Sequence, residues 1–287
     1  LKPNGYQLID SGNFRKLERI GSFTLVRPSP QAVWAPLLPE AQWDEFDAMY
    51  TRFSGGDGKW TIKNKKISDN WTIDMLGLKI RMKLTDFGHL GIFPEQEPNW
   101  QKLESFVDAS RQSIPEFKVL NLFAYTGIAS LMCARGGAEV VHVDASKTSV
   151  QWGRENAELS GLESAKVRWI IEDVQKFVGR EVRRGSKYHG IILDPPSFGR
   201  GANNEVWKIE EHMVPLLSEL KKILADNFKF VLLSSHSTGY TPIALQNLLS
   251  AVVDVGSGTF FSNEMVVSHQ SGKALLPSGA SCLFLRS

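Results

Sequence analysis

The stretch Lys118-Val-Leu-Asn-Leu-Phe-Ala-Tyr-Thr-Gly127 decides the fold. Its first six residues make a short, largely apolar run that suits a buried parallel strand, and Gly127 closes a tight turn ahead of a helix. The pattern recurs downstream: Val141-His-Val-Asp144, Ile170-Ile-Glu-Asp173 and Asp194-Pro-Pro-Ser-Phe198 each follow or end an apolar, β-type run. Strand, turn, helix, strand, acidic residue is the order in which an α/β sheet builds a ligand pocket at its carboxyl edge. Function is expected to concentrate in residues 119–198.

Working outward, Pro98 opens a helix to about Ser113 and Pro115 stops it. Helices are expected at 127–136, 147–160 and 205–224, and strands at 118–123, 139–144, 166–172, 189–194 and 229–234. Such alternation implies a doubly wound sheet. Thr241-Pro242 is an N-cap and first-turn pair opening another helix. The runs 264–267 and 281–285 are placed to pair as a terminal antiparallel hairpin. Residues 1–95 lack this alternation. They show strand-like runs at 22–26 and 71–75, and at 78–84 apolar and basic residues alternate, the pattern of a strand with one cationic wet face. Trp43, Phe46 and Tyr50 have helical spacing within 39–53, ended by Ser54-Gly-Gly-Asp-Gly58. The expected organisation is a small α+β domain, 1–95, and an α/β domain, 96–287.

Composition narrows the function class. The 287 residues, 42% hydrophobic and 22% charged, suffice for a large core. No apolar run approaches the roughly 18 residues needed to cross a bilayer, so no membrane partner is expected. A net charge of +2 is too small to mark a nucleic-acid binder by itself. The slight surplus is N-terminal, with 13 Lys/Arg against 10 Asp/Glu in residues 1–90. Cys133 and Cys282 sit in apolar segments with neither disulfide nor metal-ligand spacing, which fits core positions in a reducing cytoplasm and gives no metal site. Leu1 follows no basic, apolar leader, and without an initiator Met the start of the chain says nothing about targeting.

Residues 121–127 lack the Gly-x-Gly-x-x-Gly spacing that brings a helix N-terminus onto a pyrophosphate, which disfavours a dinucleotide. Asp144 can accept ribose hydroxyls and Asp173 an adenine amino group, a pair that suits adenosine without phosphate. Either aspartate alone also reads as a turn residue or an N-cap.

These motifs, with Val143-Asp-Ala-Ser146 and Glu155-Asn-Ala-Glu-Leu-Ser-Gly-Leu162, resemble the class I S-adenosylmethionine-dependent methyltransferases, and within them the large-subunit ribosomal RNA methyltransferases that make 5-methylcytosine or 7-methylguanine. The resemblance covers roughly Gly88 to the C-terminus. Arg19 to Trp34 and Gly91-Ile-Phe-Pro-Glu-Gln96 also look like the small β-rich unit that precedes the catalytic domain there. It implies a Rossmann-like sheet ordered 3-2-1-4-5-7-6 with strand 7 antiparallel, and S-adenosyl-L-methionine as cofactor. Carried over by position, Phe123, Ala124, Tyr125, Thr126 and Gly127 would pass beneath the methionine moiety. Asp144, with Ser146 beside it, would hold the ribose, Ala145 would line the adenine, and Asp173 would take its edge. Asn156 reads either as an exposed polar residue on a helix or as a buried contact to the pocket loops, and Gln96 either as a solvated connector residue or as one that closes over the cofactor.

Methyl transfer from a sulfonium mainly requires placing a nucleophile against the methyl carbon. In Asp194-Pro-Pro-Ser-Phe198, Pro195 and Pro196 stiffen the turn, Asp194 and backbone carbonyls can accept from a planar amine, and Phe198 offers a stacking face. The cytosine-C5 branch carries a cysteine where this chain has His236, and neither Cys133 nor Cys282 looks placed to add to a pyrimidine. His236 reads either as a group that orients the base or relays a proton, or as a loop histidine bonded to backbone. Arg200 and Trp207 lie in a glycine-rich stretch, 199–207, that reads as a closing loop or a mobile surface one. The expected function is methylation of a nucleobase nitrogen, rather than cytosine C5, in ribosomal RNA, with residues 1–95 holding the RNA. Methylation of a small molecule or protein amide, and an inactive RNA-binding or assembly protein, are the alternatives.

Overall fold

The computed structural model describes residues 4–53, 57–67, 71–201 and 205–286. Two compact units divide the chain: Leu1–Glu97 with Val266–Ser278, and Pro98–Met265 with Gly279–Ser287. A C-terminal segment, 266–278, clusters with the first unit.

The first unit holds β1 (Tyr6–Gly12), β2 (Arg15–Ile20), β3 (Phe23–Pro28), a single helical turn α1 (Glu40–Trp43), β4 (Ala48–Arg52), β5 (Gly58–Ile62), β6 (Trp71–Met75) and β7 (Leu78–Met82). Strands β1 to β5 form one sheet in chain order, antiparallel except between β3 and β4, and β6 pairs with β7 as a separate ribbon. In β7, Leu78, Ile80 and Met82 are buried while Lys79 is exposed and Arg81 half-buried, the alternation of a strand with one wet face. Asp74 of β6 lies opposite Lys79.

The helix expected over 39–53 is a correction. Only Glu40–Trp43 is helical, and 48–52 is a strand. Asp47 decides this, because its carboxylate accepts from the Thr24 amide and from Asn64 Nδ2, each at 2.7 Å, and fixes the entry of β4 between its neighbours. Trp43, Phe46 and Tyr50 are all buried nonetheless, Trp43 and Phe46 against Leu17 and Val26. Of the glycine-rich terminator read at 54–58, residues 54–56 lie outside the described residues.

The second unit alternates helix and strand: α2 (Glu97–Arg111), β8 (Lys118–Leu122), α3 (Ile128–Arg135), β9 (Glu139–Asp144), α4 (Lys147–Leu159), β10 (Val167–Ile171), α5 (Val174–Arg184), β11 (Gly190–Leu193), a ribbon of β12 (Phe198–Arg200) and β13 (Val206–Lys208), α6 (Ile209–Ile223), β14 (Phe230–Ser235), α7 (Pro242–Ser250), β15 (Gly258–Ser268) and β16 (Leu275–Arg286). Seven strands form a sheet in the order β10-β9-β8-β11-β14-β16-β15. The pairings from β10 through β14 are parallel, and β16 runs antiparallel to β14. The α/β class is thus established. Apolar side chains such as Leu122, Val143, Phe177, Leu193, Leu217 and Leu233 form the core between sheet and helices.

Two sequence expectations fail here. Helix α5 occupies the connection between the third and fourth strands, where the sequence pattern places no helix, and the helix expected from 205 begins at Ile209, after the β12–β13 ribbon. Among the described residues, no helix is long and apolar enough to cross a membrane.

Candidate active site

Parallel pairing sets the site. Leu122 lies opposite Val143 and Leu193, and Leu193 opposite Leu233, so the residues after β8, β9, β11 and β14 emerge at one edge of the sheet. Residues 123–127, Asp144, Asp194 and His236 are therefore gathered there. Asp173, two residues beyond β10, joins them because Ile171 pairs with Asp144.

The turn after β8 is unusual backbone. Phe123 and Tyr125 adopt left-handed φ values of 55° and 48°, and Gly127 follows at 84°. Non-glycine residues in this region are uncommon and persist only when the surroundings impose them. Here the surroundings are Asp144 and the strand beside it. The Ala124 amide donates to the Val143 carbonyl at 3.1 Å, and the Tyr125 amide to Asp144 Oδ2 at 2.9 Å. The Ser146 amide donates to Oδ1 at 2.8 Å. Burial pushes the Asp144 carboxyl above the usual carboxylate range, opposed by these two backbone donors. Ser146 caps α4, its Oγ accepting from the Ser149 amide.

Asn156, on α4, is fully buried, and its Nδ2 donates to the Thr126 carbonyl at 2.9 Å. It is a contact to the pocket loop, not an exposed helix-face residue. A layer that the sequence did not reveal lies beneath the turn. Trp169 of β10 fills the space that a Cβ on Gly127 or Gly153 would enter, at 3.2 and 2.6 Å from its ring. Its ring also lies 4.5 Å from that of His142. His142 Nδ1 meets Ser130 Oγ at 3.0 Å, and Ser130 Oγ accepts from Asn121 Nδ2 at 2.9 Å. No spacing rule points to Trp169; it was legible only as a strand residue.

Asp173 is the N-cap of α5, accepting from the Lys176 amide at 3.0 Å. The capping role and a position at the site edge therefore coincide in one residue. Gln96 ends a short 3-10 turn, Pro94–Gln96, of the first unit, where it is buried.

On the other half of the edge, Asp194 Oδ1 lies 3.5 Å from His236 Nδ1. Ser197 Oγ and Ser237 Oγ are hydrogen-bonded at 2.6 Å, so the loops after β11 and β14 meet twice. Pro195 is buried, whereas Pro196 and Phe198 are exposed. The stretch expected as a closing or mobile loop is largely fixed: Trp207 is buried, its Nε1 donates to the Pro196 carbonyl at 2.7 Å, and its ring lies 4.7 Å from Phe123. Residues 202–204 of that stretch lie outside the described residues. The Arg200 guanidinium sits 5.9 Å from the exposed Phe198 ring. Cys133 and Cys282 are both fully buried, and burial pushes both thiols up.

The edge thus has two parts. One is a strained turn locked onto a half-buried carboxylate, an acceptor that suits ribose hydroxyls under a small cofactor. The other is a proline-stiffened loop with a carboxylate, an imidazole and an exposed aromatic ring, which suits a planar acceptor.

Residues 51–233 match the family model described as S-adenosylmethionine-dependent methyltransferase. The crystal structure of a SAM-dependent methyltransferase from Agrobacterium tumefaciens is 38% identical, covers 99% of this chain and 91% of its own, and superposes with a TM-score of 0.92. Ribosomal RNA large subunit methyltransferase I of Aeromonas salmonicida is 36% identical over 127 residues, 44% of this chain and 30% of its own length. Ribosomal RNA large subunit methyltransferase K/L of Pseudoalteromonas translucida is 28% identical over 172 residues, 59% of this chain and 23% of its own. The chain therefore matches less than a third of the length of either curated relative. The family model alone spans well over half of the chain, and the Agrobacterium structure matches it almost end to end: the chain belongs to the S-adenosylmethionine-dependent methyltransferases.

Proposed function

We propose that the chain methylates a nucleobase nitrogen in RNA, with ribosomal RNA as the substrate. The observation that carries this reading is the sequence Asp194-Pro195-Pro196-Ser197-Phe198 at the carboxyl edge, with its carboxylate and an exposed aromatic ring beside the turn that Asp144 holds. The names of the curated relatives supply the substrate class.

S-adenosylmethionine, when bound, supplies an electrophilic methyl group on a sulfonium. Asp144 would accept from its ribose hydroxyls and Asp173 from its adenine amino group. Ala145 would line the adenine, and Phe123 to Gly127 would run beneath the methionine. Asn156 acts one step removed, by fixing the Thr126 carbonyl. Opposite, Phe198 would stack on the target base, Asp194 would accept from its edge, and Trp207 would hold the Pro196 carbonyl and Phe123 in register. Positioning of this kind is the main source of acceleration in a direct displacement.

Nitrogen is favoured over cytosine C5 because the C5 route needs a thiolate, and both cysteines are buried with raised pKa values. Two free thiols also suit a cytoplasmic enzyme. The cationic face of β7 in the first unit is assigned to holding RNA. The test is incubation with methyl-labelled S-adenosylmethionine and, separately, ribosomal RNA, tRNA and protein fractions, repeated across salt concentrations. Label in ribosomal RNA that weakens steeply with salt supports the reading. Label confined to protein or small molecules contradicts it.

A further inference from the structure

We propose that Phe87, at the tip of the loop that follows β7, is a platform on which an unpaired base of the RNA stacks. The inference rests on the RNA reading above and gives the cationic strand β7 an aromatic partner.

The Phe87 side chain is 67% exposed, in a loop whose backbone is held on every side. The Lys83 amide donates to the Leu90 carbonyl at 3.3 Å and closes the loop, and the Gly88 amide donates to the Thr85 carbonyl at 3.0 Å, which makes 85–88 a tight turn. The Thr85 amide and hydroxyl both donate to the His89 carbonyl, at 3.2 and 2.8 Å. Three side chains of the five-stranded sheet grip the same turn. Trp60 Nε1 donates to the Thr85 carbonyl at 2.8 Å, the Tyr50 hydroxyl to the Asp86 carbonyl at 2.7 Å, and Arg27 Nη1 to the Gly88 carbonyl at 3.0 Å. Tyr50 and Trp60 are cross-strand partners in β4 and β5 with ring centroids 5.2 Å apart, and Arg27 of β3 is itself locked to the buried Glu18 at 2.7 and 2.9 Å. Gly88 has a left-handed φ of 77°, and a Cβ there would stand 2.5 Å from the Tyr50 ring.

A lone exposed apolar side chain is ordinary on a protein surface. Phe87 differs because the Asp86 and Gly88 carbonyls on either side of it are each taken by a side chain of the sheet, so its backbone is fixed before a partner arrives. Such preorganisation lowers the ordering cost of binding. The neighbouring charge names the partner. Lys79, Arg81 and Lys83 lead into the loop, and between residues 79 and 90 Asp86 is the one acidic residue. Cations that track a phosphate backbone, followed by an aromatic face for a base, are the combination that binds single-stranded nucleic acid. A second copy of this chain in a two-fold contact would set the same three cations against one another, which disfavours it. A duplex keeps its bases stacked within itself and offers the ring no face.

The test is fluorescence anisotropy of the intact chain with labelled oligoadenylate of about 12 nucleotides, single-stranded or annealed to oligouridylate, for wild type, Phe87→Ala, Phe87→Leu and Phe87→Trp. Thermal unfolding, S-adenosylmethionine affinity and methylation of ribosomal RNA are measured alongside. The inference expects Phe87→Ala to weaken single-strand binding about 5- to 150-fold, Phe87→Leu to weaken it nearly as much although it keeps an apolar side chain, and Phe87→Trp to bind at least as tightly as wild type. The loss should be the same at low and high salt, because stacking releases no counterions, and melting temperature and cofactor affinity should not change. Undiminished single-strand binding by Phe87→Ala or Phe87→Leu, or an equal loss for the duplex, would overturn the inference. A wild-type dimer that Phe87→Ala dissolves would give the ring to a second copy and overturn it too. Wild-type protein that methylates ribosomal RNA but binds no oligoadenylate would sink this inference alone; wild-type protein that neither binds nor methylates RNA would sink the RNA reading with it.

Discussion

Asn156 Nδ2 donates to the carbonyl of Thr126 across 2.9 Å, and neither side chain has more than 2% exposure. A helix residue thus holds the carbonyl that closes a turn containing two left-handed non-glycine residues. Replacing Asn156 by Ala leaves a buried carbonyl short of a donor, at a cost of about 1–3 kcal/mol. Thermal unfolding of Asn156→Ala should show that loss, and cofactor affinity should weaken with it. An unchanged melting temperature would mean that water or another donor replaces the amide.

Gly153 makes a sharper case, because Ala is ordinarily the better helix former by about 1 kcal/mol. An added Cβ would stand 2.6 Å from the Trp169 ring, which is itself packed on His142. Gly153→Ala is therefore expected to destabilise the protein by about 1–3 kcal/mol. The double variant with Trp169→Leu should recover part of the loss. A stabilised Gly153→Ala would show that the ring moves aside freely.

His142 predicts an acid-sensitive component of stability. Burial, with the Arg154 charge adding to it, pushes its imidazole down to about 3. A folded-state pKa below the unfolded value means that the unfolded chain binds the proton first. The contribution is full above the unfolded pKa of about 6.5 and is lost between there and about 3, at about 1.4 kcal/mol per pH unit. Denaturant unfolding of wild type and His142→Gln at neutral and acid pH should show the smaller loss in the variant. Equal losses would place the acid sensitivity in other groups.

How much of this was legible in the sequence depends on which force decided each segment. The strands β8, β9, β11 and β14 are short apolar runs buried on both faces, and such runs carry their own signal. Asp144 and Asp194 were legible because Asp144 ends β9 and Asp194 follows β11 directly. Helix α5 carries a divided signal, because Asp173 reads both as a ligand-holding strand end and as a cap; it caps a helix whose buried face is Val174, Phe177, Val178 and Glu181. The reading of 39–53 as helix followed a real periodicity of buried aromatics, but strand pairing and the Asp47 hydrogen bonds overrode it. Contacts far apart in sequence were invisible by nature: Trp169 under Gly127 and Gly153, Trp207 on Phe123, and His236 beside Asp194. The clustering of residues 266–278 with the N-terminal unit is likewise a feature that only folding reveals.

The central claim is that the carboxyl edge is divided, with Asp144 serving the cofactor and Asp194 the acceptor. Calorimetric titration of S-adenosylmethionine into wild-type, Asp144→Ala and Asp194→Ala protein tests it most directly. The account predicts that Asp144→Ala weakens binding by about 1–3 kcal/mol and that Asp194→Ala binds as wild type does. Wild-type affinity in a folded Asp144→Ala protein, or an equal loss in Asp194→Ala, would contradict it.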